Sequence, residues 1–473
     1  MRIPIDIGVI YFIGIGGIGM SGIAEVLKRQ GFKVAGSDMA NSVNVQRLRR
    51  LGIDVKIGQH RKNIENASVV VVSTAIQPDN VELMAAREMG IPIVRRAEML
   101  AELMRLKWSI AVAGTHGKTT TTSIIAHILD MADIDPMVIN GGIINSYNTN
   151  IRLGDGDWFV AEADESDGSF LKLPATIAVV TNIDPEHMEH YGSFSHLKRA
   201  FASFVEKVPF YGFAVMCIDH RRVQNLIKNI ADRRIITYGL NAQADIQGKN
   251  IRIDKDGTYF DIVMNDKNAP LRLIKDIFLS MHGMHNVSNA LAAAAVAHGI
   301  GIEDNVICDA LASFQGVKRR FTFVGEAMGI RVIDDYGHHP VEILAVLQAA
   351  RDSISMAEEG RIIAVVQPHR YSRLEDLFDE FCTCMNDADY VLVADVYAAG
   401  EAPIDGVNKD ALVEGLRRMG HKNVEGLKSP SELAKKVLKY GKPGDMVVCL
   451  GAGDISKWAN DLPDKMRKIG QEK

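Results

Sequence analysis

The chain is predicted to be an α/β protein of three domains with mainly parallel sheets, and three observations carry that prediction. Short apolar runs rich in β-branched residues alternate along the chain with amphipathic stretches of helical length. Two of the runs lead into Gly-rich turns of the kind that seat phosphate groups, one at Gly14–Gly19 and one at Gly114–Gly117. The 473 residues amount to three domains at about 150 residues each.

Taking the elements in order, residues 9–13 form the first apolar run, bounded by glycines, and read as a buried strand. Gly14-Ile-Gly16-Gly17-Ile-Gly19 follows, then an amphipathic helix to Gln30 and a second strand from Lys33 ending near Asp38. This is G-x-G-x-x-G with an acidic residue about 20 positions on, the turn that holds a pyrophosphate at a helix end in a Rossmann-like domain. The motif specifies a diphosphate without specifying NAD, because a UDP-sugar carries the same group. Val69–Ser73 reads as a further strand, with Ser73 at its carboxyl end, where open α/β sheets place ligands. Pro78 is expected at a helix start, Glu82–Met89 and Arg95–Leu106 as helices, and the first domain as residues 1–107.

The second domain, residues 108–322, opens with Trp108-Ser-Ile-Ala-Val-Ala-Gly114-Thr115-His116-Gly117-Lys118-Thr119-Thr120. A strand over Ile110 and Val112 and a helix over Ser123–Met131 would flank a P-loop ATPase-like turn. Backbone N–H groups and the helix dipole favour an anion there, Lys118 supplies a flexible cation, and the Thr119 hydroxyl is placed for magnesium. The strict G-x-x-x-x-G-K-[ST] pattern fails at one position, where Val112 stands in the first glycine slot. Trp158–Ala161 and Thr176–Thr181 read as strands ending in Glu162-Ala-Asp164-Glu165-Ser-Asp167 and Asn182-Ile-Asp184-Pro-Glu186-His187. Both acidic clusters are thus expected on the edge that carries the phosphate loop, where oxygen ligands would complete a magnesium–triphosphate site. His187 and His190 have H-x-x-H spacing, but without cysteines or further histidines nearby zinc is not expected. Residues 242–275 read as a β-rich insertion, and Asn286 and Asn289 share one face of an Ala-rich helix.

The third domain, residues 323–473, is expected to be Rossmann-like. Strands at 331–333, 362–366, 390–394 and 446–450 each deliver polar residues at their carboxyl ends, and Pro340 sits at a helix N1 position. These ends carry Asp334-Asp335-Tyr-Gly-His338-His339, Pro368-His369-Arg370-Tyr-Ser-Arg373 and Gly451-Ala-Gly453-Asp454.

Composition bounds the function. Hydrophobic residues at 47%, charged residues at 24% and a net charge of -5 describe an ordinary globular chain with no basic surplus for nucleic acid and no electrostatic case for an anionic membrane. Cys217, Cys308, Cys382, Cys384 and Cys449 are odd in number and scattered, which fits unpaired thiols in a reducing compartment. Pro4 and Asp6 interrupt any signal-peptide core, and nowhere do ~18 apolar residues run together. A cytoplasmic location is expected.

The segments FIGIGGIGMSGIAEVL, AGTHGKTTTT, EADESDGSF, NIDPEHMEHY, HNVSNALAA, DDYGHHP, QPHRYSR and DVYAAGEAP together resemble the Mur ligase family of bacterial cell-wall synthesis, across residues 12 to 403. The resemblance implies a first domain for a UDP-sugar, a central domain for ATP and a third for the incoming amino acid. EADESD, DDYGHHP and PHRYSR resemble the member that joins L-alanine to UDP-N-acetylmuramate. The relative that reattaches a recycled tripeptide typically shows EADEYD and lacks PHRYSR. That activity and an NAD-dependent dehydrogenase are the alternatives. By the same resemblance, Gly114 to Thr120 and Asn286 and Asn289 would contact ATP, and Thr119, Glu162 and His187 would hold Mg2+. Arg320 or Arg319 would lie near the γ-phosphate with Asp335 as interdomain partner, and His338 and His339 would border the amino-acid pocket, either serving as a general base. Arg370 and Arg373 would grip substrates alongside Gly14, Gly16, Gly19, Asp38 and Ser73. Some members carry a carbamylated lysine where this chain has Ala200-Phe-Ala-Ser203, so no carbamate is expected. The protein is expected to work as a monomer or homodimer, its third domain closing during catalysis.

Overall fold

In a computed structural model describing residues 7–147, 149–230, 232–254, 256–265, 270–355 and 360–471, the strands form three sheets. The opening hexapeptide, discussed above for targeting, lies outside the described residues. The first sheet contains β1 (Val9–Ile13), β2 (Lys33–Asp38), β3 (Asp54–Ile57), β4 (Ala67–Val72) and β5 (Ile93–Arg95) in the order β3-β2-β1-β4-β5, parallel throughout. Strand order reverses between β1 and β4, so the Gly14–Gly19 turn leaves β1 at the switch point where such sheets bind ligands.

The second sheet contains β6 (Trp108–Ala113), β7 (Met137–Ile144), β8 (Thr149–Arg152), β9 (Trp158–Glu162), β10 (Ile177–Val180), β11 (Phe213–Cys217) and β12 (Ile235–Gly239), continued by β13 (Ile246–Asp254), β14 (Gly257–Met264) and β15 (Arg272–Leu279). Its order is β15-β14-β13-β12-β11-β10-β6-β9-β7-β8. β6 pairs in parallel with both β10 and β9, which brings both acidic clusters beside the phosphate loop as the strand ends predicted. The third sheet contains β16 (Thr322–Ala327), β17 (Ile330–Asp335), β18 (Ile362–Val366), β19 (Tyr390–Val393), β20 (Val424–Gly426) and β21 (Met446–Leu450). Its order is β16-β17-β21-β18-β19-β20, with only β16 antiparallel.

The chain divides into two compact units, one of residues 1–247, 262–273 and 289–310 and the other of 248–261, 274–288 and 311–473. In the first, a single apolar cluster runs from Ile10, Phe12 and Leu103 to Phe159, Phe170 and Phe201, so the first sheet and the core of the second are packed as one body. Polar ties reinforce it. Arg29 donates to the Leu153 carbonyl at 2.5 Å and pairs with Asp155, Arg47 donates to the Thr149 hydroxyl at 2.6 Å, and Asn150 donates to the Ile18 carbonyl at 3.2 Å. The second unit buries both faces of its sheet, Val366 and Val448 on one side and Val365 and Val447 on the other.

Two expectations need correcting. The helix after the phosphate loop begins at Lys118, not Ser123, so all four threonines are helical. Their intrinsic cost is met by tertiary packing, since Thr119 to Thr122 are all buried. Pro78 lies in a turn, and the helix there starts at Val81, capped by the Asn80 side chain, which accepts from the Glu82 and Leu83 N–H groups.

Candidate active site

The Gly14–Gly19 turn is closed by its own hydrogen bonds. The Gly14 and Ile15 N–H groups donate to the Ser37 carbonyl, Gly17 donates to Gly14, and Gly16 donates to Asp38 Oδ2 at 2.8 Å. Asp38 Oδ1 accepts from Ala40 at 3.1 Å. Both oxygens of this acid therefore clamp backbone, and the acidic position of the motif is spent on the loop itself. The next three N–H groups, of Ile18, Gly19 and Met20, open the Ile18–Arg29 helix and have no partner among the described residues. They point donors and a positive dipole end at one place. Ser73 is partly exposed at the end of β4.

At the second turn, Gly117 takes φ +81° and caps the Lys118–Met131 helix, and a Cβ there would stand 2.5 Å from Asn289 Oδ1. Asn182 clasps the turn, accepting from the His116 N–H at 2.7 Å and donating to the His116 carbonyl at 3.0 Å, while its own carbonyl accepts from the Thr115 N–H. Lys118 Nζ folds back onto the Gly114 carbonyl (2.6 Å), the Thr115 carbonyl (3.1 Å) and Glu165 (2.9–3.0 Å). Burial opposes its charge, but the carboxylates of Glu165, Glu162 and Asp164 outweigh burial and hold it firmly protonated. Those acceptors occupy the ammonium where phosphate oxygens would replace them.

Thr119 Oγ1 donates to Glu162 Oε2 at 2.8 Å, and the Gly141 N–H donates to the same oxygen at 2.9 Å. A hydroxyl and a carboxylate oxygen brought together at a phosphate loop form the hard-oxygen donor set that suits Mg2+. His187, in a left-handed backbone conformation, lies with Nε2 3.6 Å from Glu186 and 3.9 Å from Glu165. Asn289 is buried and accepts from the Thr121 hydroxyl at 3.2 Å, so it braces the phosphate-loop helix. Asn286, one turn earlier on the Met284–Gly299 helix, donates to the His282 carbonyl at 2.8 Å. Thr120 is buried within the loop's helix.

In the second unit the two candidate arginines separate. Arg319 donates to the Gly451 carbonyl at 2.6 Å and lies toward that of Gly453, tying the end of β21. The Arg320 guanidinium lies over the Tyr336 ring, 5.3 Å from its centroid, and donates no hydrogen bond among the described residues. Asp335 is buried, accepts from the Phe321 and Gly337 N–H groups, and is pushed up to about 6 by that burial against the pull of Arg320. His338 Nδ1 faces the Tyr336 carbonyl at 3.0 Å, which puts the proton on Nδ1 and the lone pair on Nε2. Burial lowers its pKa to about 4. His339 Nδ1 accepts from the Val341 N–H at 3.3 Å, which places its own proton on Nε2. Arg370 has the rare backbone pair φ +71°, ψ +139°, held by its N–H on the Tyr397 carbonyl. Arg373 lies against His369, which stacks on Tyr397 at 5.5 Å.

Residue patterns alone single out neither of two participants, Glu165, the lysine's partner inside its acidic run, and Asn182, at the end of a strand; Arg320 and Arg319 they offer as a pair without ranking them. Strand-end position was the available signal for the first two.

Family models match the chain in three consecutive stretches: Mur ligase family, catalytic domain, over residues 9–108; Mur ligase middle domain over 112–297; and Mur ligase, glutamate ligase domain, over 319–453. The chain belongs to the Mur ligase family. It is 61% identical over 471 residues to the UDP-N-acetylmuramate–L-alanine ligase of Parvibaculum lavamentivorans, covering 99% of this chain and 95% of that one. It is 58% identical over 472 residues to the enzyme of the same name from Brucella anthropi, covering 100% of both. Among solved structures, the UDP-N-acetylmuramate–alanine ligase of Thermotoga maritima superposes with a TM-score of 0.80 at 28% identity, covering 98% of this chain and 100% of that one. A murein peptide ligase from Psychrobacter arcticus gives 0.69 at 24%, covering 98% and 99%, a likeness of fold.

Proposed function

We infer that this chain is an ATP-dependent, ADP-forming ligase that joins L-alanine to the lactyl carboxylate of UDP-N-acetylmuramate in the synthesis of peptidoglycan precursors. The observation that carries this conclusion is the near-full-length match to ligases of that name, at about 60% identity. The phosphate-loop geometry is what their chemistry requires.

Amide formation from a carboxylate in water is uphill, so the carboxylate first takes the γ-phosphoryl of ATP. The acyl phosphate is then attacked by the alanine amine, and phosphate leaves. Anion attacks anion in the first step, so positive charge must gather at the transferring group. Lys118 supplies it on leaving Glu165, and Arg320, whose donors are open, is assigned the second cation. Arg319 is assigned to holding the end of β21. Thr119 and Glu162 are the residues that would hold Mg2+, with His187 for a second ion; the metal would neutralise phosphate charge. His338, neutral at pH 7 with its lone pair on Nε2, is assigned to orienting the amine, since a conjugate acid near 4 is poorly matched to general-base work at neutrality. Asn286 and Asn289 are assigned to the adenine side of the ATP site, and Arg370 and Arg373 to the substrates.

The domain boundaries we assign are 1–107, 108–322 and 323–473. No helix among the described residues is long and apolar enough to cross a membrane, and we assign the enzyme to the cytoplasm as a monomer or homodimer. Phosphate release from ATP tests the reading. It should require both UDP-N-acetylmuramate and L-alanine; release supported by a tripeptide and not by L-alanine would move the assignment to the recycling ligase.

A further inference from the structure

Arg96 is a charged side chain of the first unit that the roles above leave unused. It opens the Arg96–Met104 helix, where the positive end of the dipole opposes a cation. Its neighbour at the cap is another arginine, Arg95. The acid of that first turn is engaged elsewhere: Glu98 accepts from the Arg95 N–H at 2.8 Å and pairs with Lys172. Among the described residues the Arg96 guanidinium makes no hydrogen bond and no ion pair.

Its position is nonetheless defined. Arg96 Cδ, Nη1 and Nε lie 3.3, 3.4 and 3.7 Å from where a Cβ on Gly19 would stand. The cation therefore rests on the last glycine of the first loop, beside the open N–H groups of Ile18, Gly19 and Met20. A side chain at Gly19 would displace it. Its charge also reaches Asp164 in the acidic cluster beside Lys118. There burial raises the carboxyl, while Lys118, Ser166 and Arg96 together bring it below its usual range. A cation set against a helix dipole, with no hydrogen-bonded or ion-paired carboxylate among the described residues and over a group of open donors, is arranged for an anion that arrives from solution.

We propose that Arg96 binds the diphosphate of the sugar nucleotide, its guanidinium closing over the Gly14–Gly19 loop to complete a cradle begun by the three helix N–H groups. The proposal rests on the ligase reading, which seats a UDP-sugar on this loop. A fork of N–H donors on two adjacent phosphates favours diphosphate nucleotides over monophosphates.

Calorimetric titration of full-length protein with UDP, UDP-N-acetylmuramate and ADP tests it in wild type, Arg96→Gln and Arg96→Lys. Arg96→Gln should raise the dissociation constants of UDP and UDP-N-acetylmuramate by roughly 10- to 100-fold, leaving ADP unchanged. Arg96→Lys should fall between the two, keeping charge without the fork. The ligand-free melting temperature of Arg96→Gln should equal or exceed that of wild type, because a cation opposed by the dipole has gone; a merely structural arginine would lower it. Unchanged UDP affinity in Arg96→Gln overturns the proposal. So does loss confined to UDP-N-acetylmuramate, which would move the contact to the lactyl carboxylate, and so does an equal loss of ADP binding. Wild-type protein that binds neither uridine nucleotide overturns the ligase reading itself, before any variant is made.

Discussion

Replacing Glu165 by glutamine removes the anion on which Lys118 rests, and the consequences for stability and for nucleotide binding have opposite signs. The ammonium lies 2.9 Å from a carboxylate that is 1% exposed. Two unit charges at that separation attract by about 6 kcal/mol at an effective dielectric of ~20, before desolvation is subtracted. Stranding a buried cation typically costs about 3–5 kcal/mol. Here the amide oxygen of glutamine and the Gly114 and Thr115 carbonyls remain as acceptors, so we expect a loss of about 2–3 kcal/mol in the first unit. Nucleotide gains instead, because a carboxylate that repels phosphate and competes for the lysine is gone; ADP affinity should rise roughly 10-fold. The assay is urea unfolding followed by tryptophan emission in a Trp458→Phe background, which leaves Trp108 and Trp158 of the first unit as reporters. A Lys118→Gln, Glu165→Gln double-mutant cycle isolates the pair. A coupling below about 0.5 kcal/mol would refute the reasoning.

Three further predictions follow from the same geometry. Arg320→Ala should lower kcat by ~10³-fold or more with the unfolding midpoint little changed, whereas Arg319→Ala should lose about 1–3 kcal/mol of stability with its carbonyl contacts; steady-state kinetics beside urea melts would contradict us if the two patterns were exchanged. Burial lowers His285, His338 and His369 to about 4, so each contributes stability above its unfolded value near 6.5 and loses it as pH falls toward 4. Asp335, raised to about 6, and Asp334 and Asp352, also raised by burial, work the other way, removing stability as pH rises through the carboxylate range, but Asp261, Glu401 and Glu425, lowered by their hydrogen bonds, act with the histidines; the second unit's urea midpoint, read from Trp458, should therefore fall on acidification, and a rise would be inconsistent with neutral buried imidazoles. Asp38→Asn should raise KM for UDP-N-acetylmuramate roughly 10-fold through the loosened Gly16 clamp and leave KM for ATP alone; equal effects on both would argue for general damage.

Much of this architecture was legible in residue patterns because the strands that carry the sites are short, apolar and stopped by glycine. β1, β18 and β21 lie where the apolar runs place them, and so do both acidic strand ends. What escaped depends on contacts distant in sequence. The four threonines read against a helix until their burial against the second sheet is known. The β7–β8 hairpin is hidden because Met137–Ile139 is buried on both faces and shows no alternation. Asp38 stands at the acidic position of the Gly-rich motif, yet its oxygens face the backbone of Gly16 and Ala40, a choice set by the loop's local geometry. Only three-dimensional partners distinguish Arg319 from Arg320, adjacent and identical in type.

The central claim, phosphoryl transfer to the sugar's carboxylate ahead of amide formation, is tested most directly by oxygen tracing. UDP-N-acetylmuramate bearing 18O in both lactyl carboxylate oxygens is turned over with ATP and L-alanine, and the released phosphate is examined by mass. One 18O per phosphate is the predicted result, since the oxygen that takes the γ-phosphoryl leaves with it. Unlabelled phosphate from labelled substrate, with amide formed, would contradict the account.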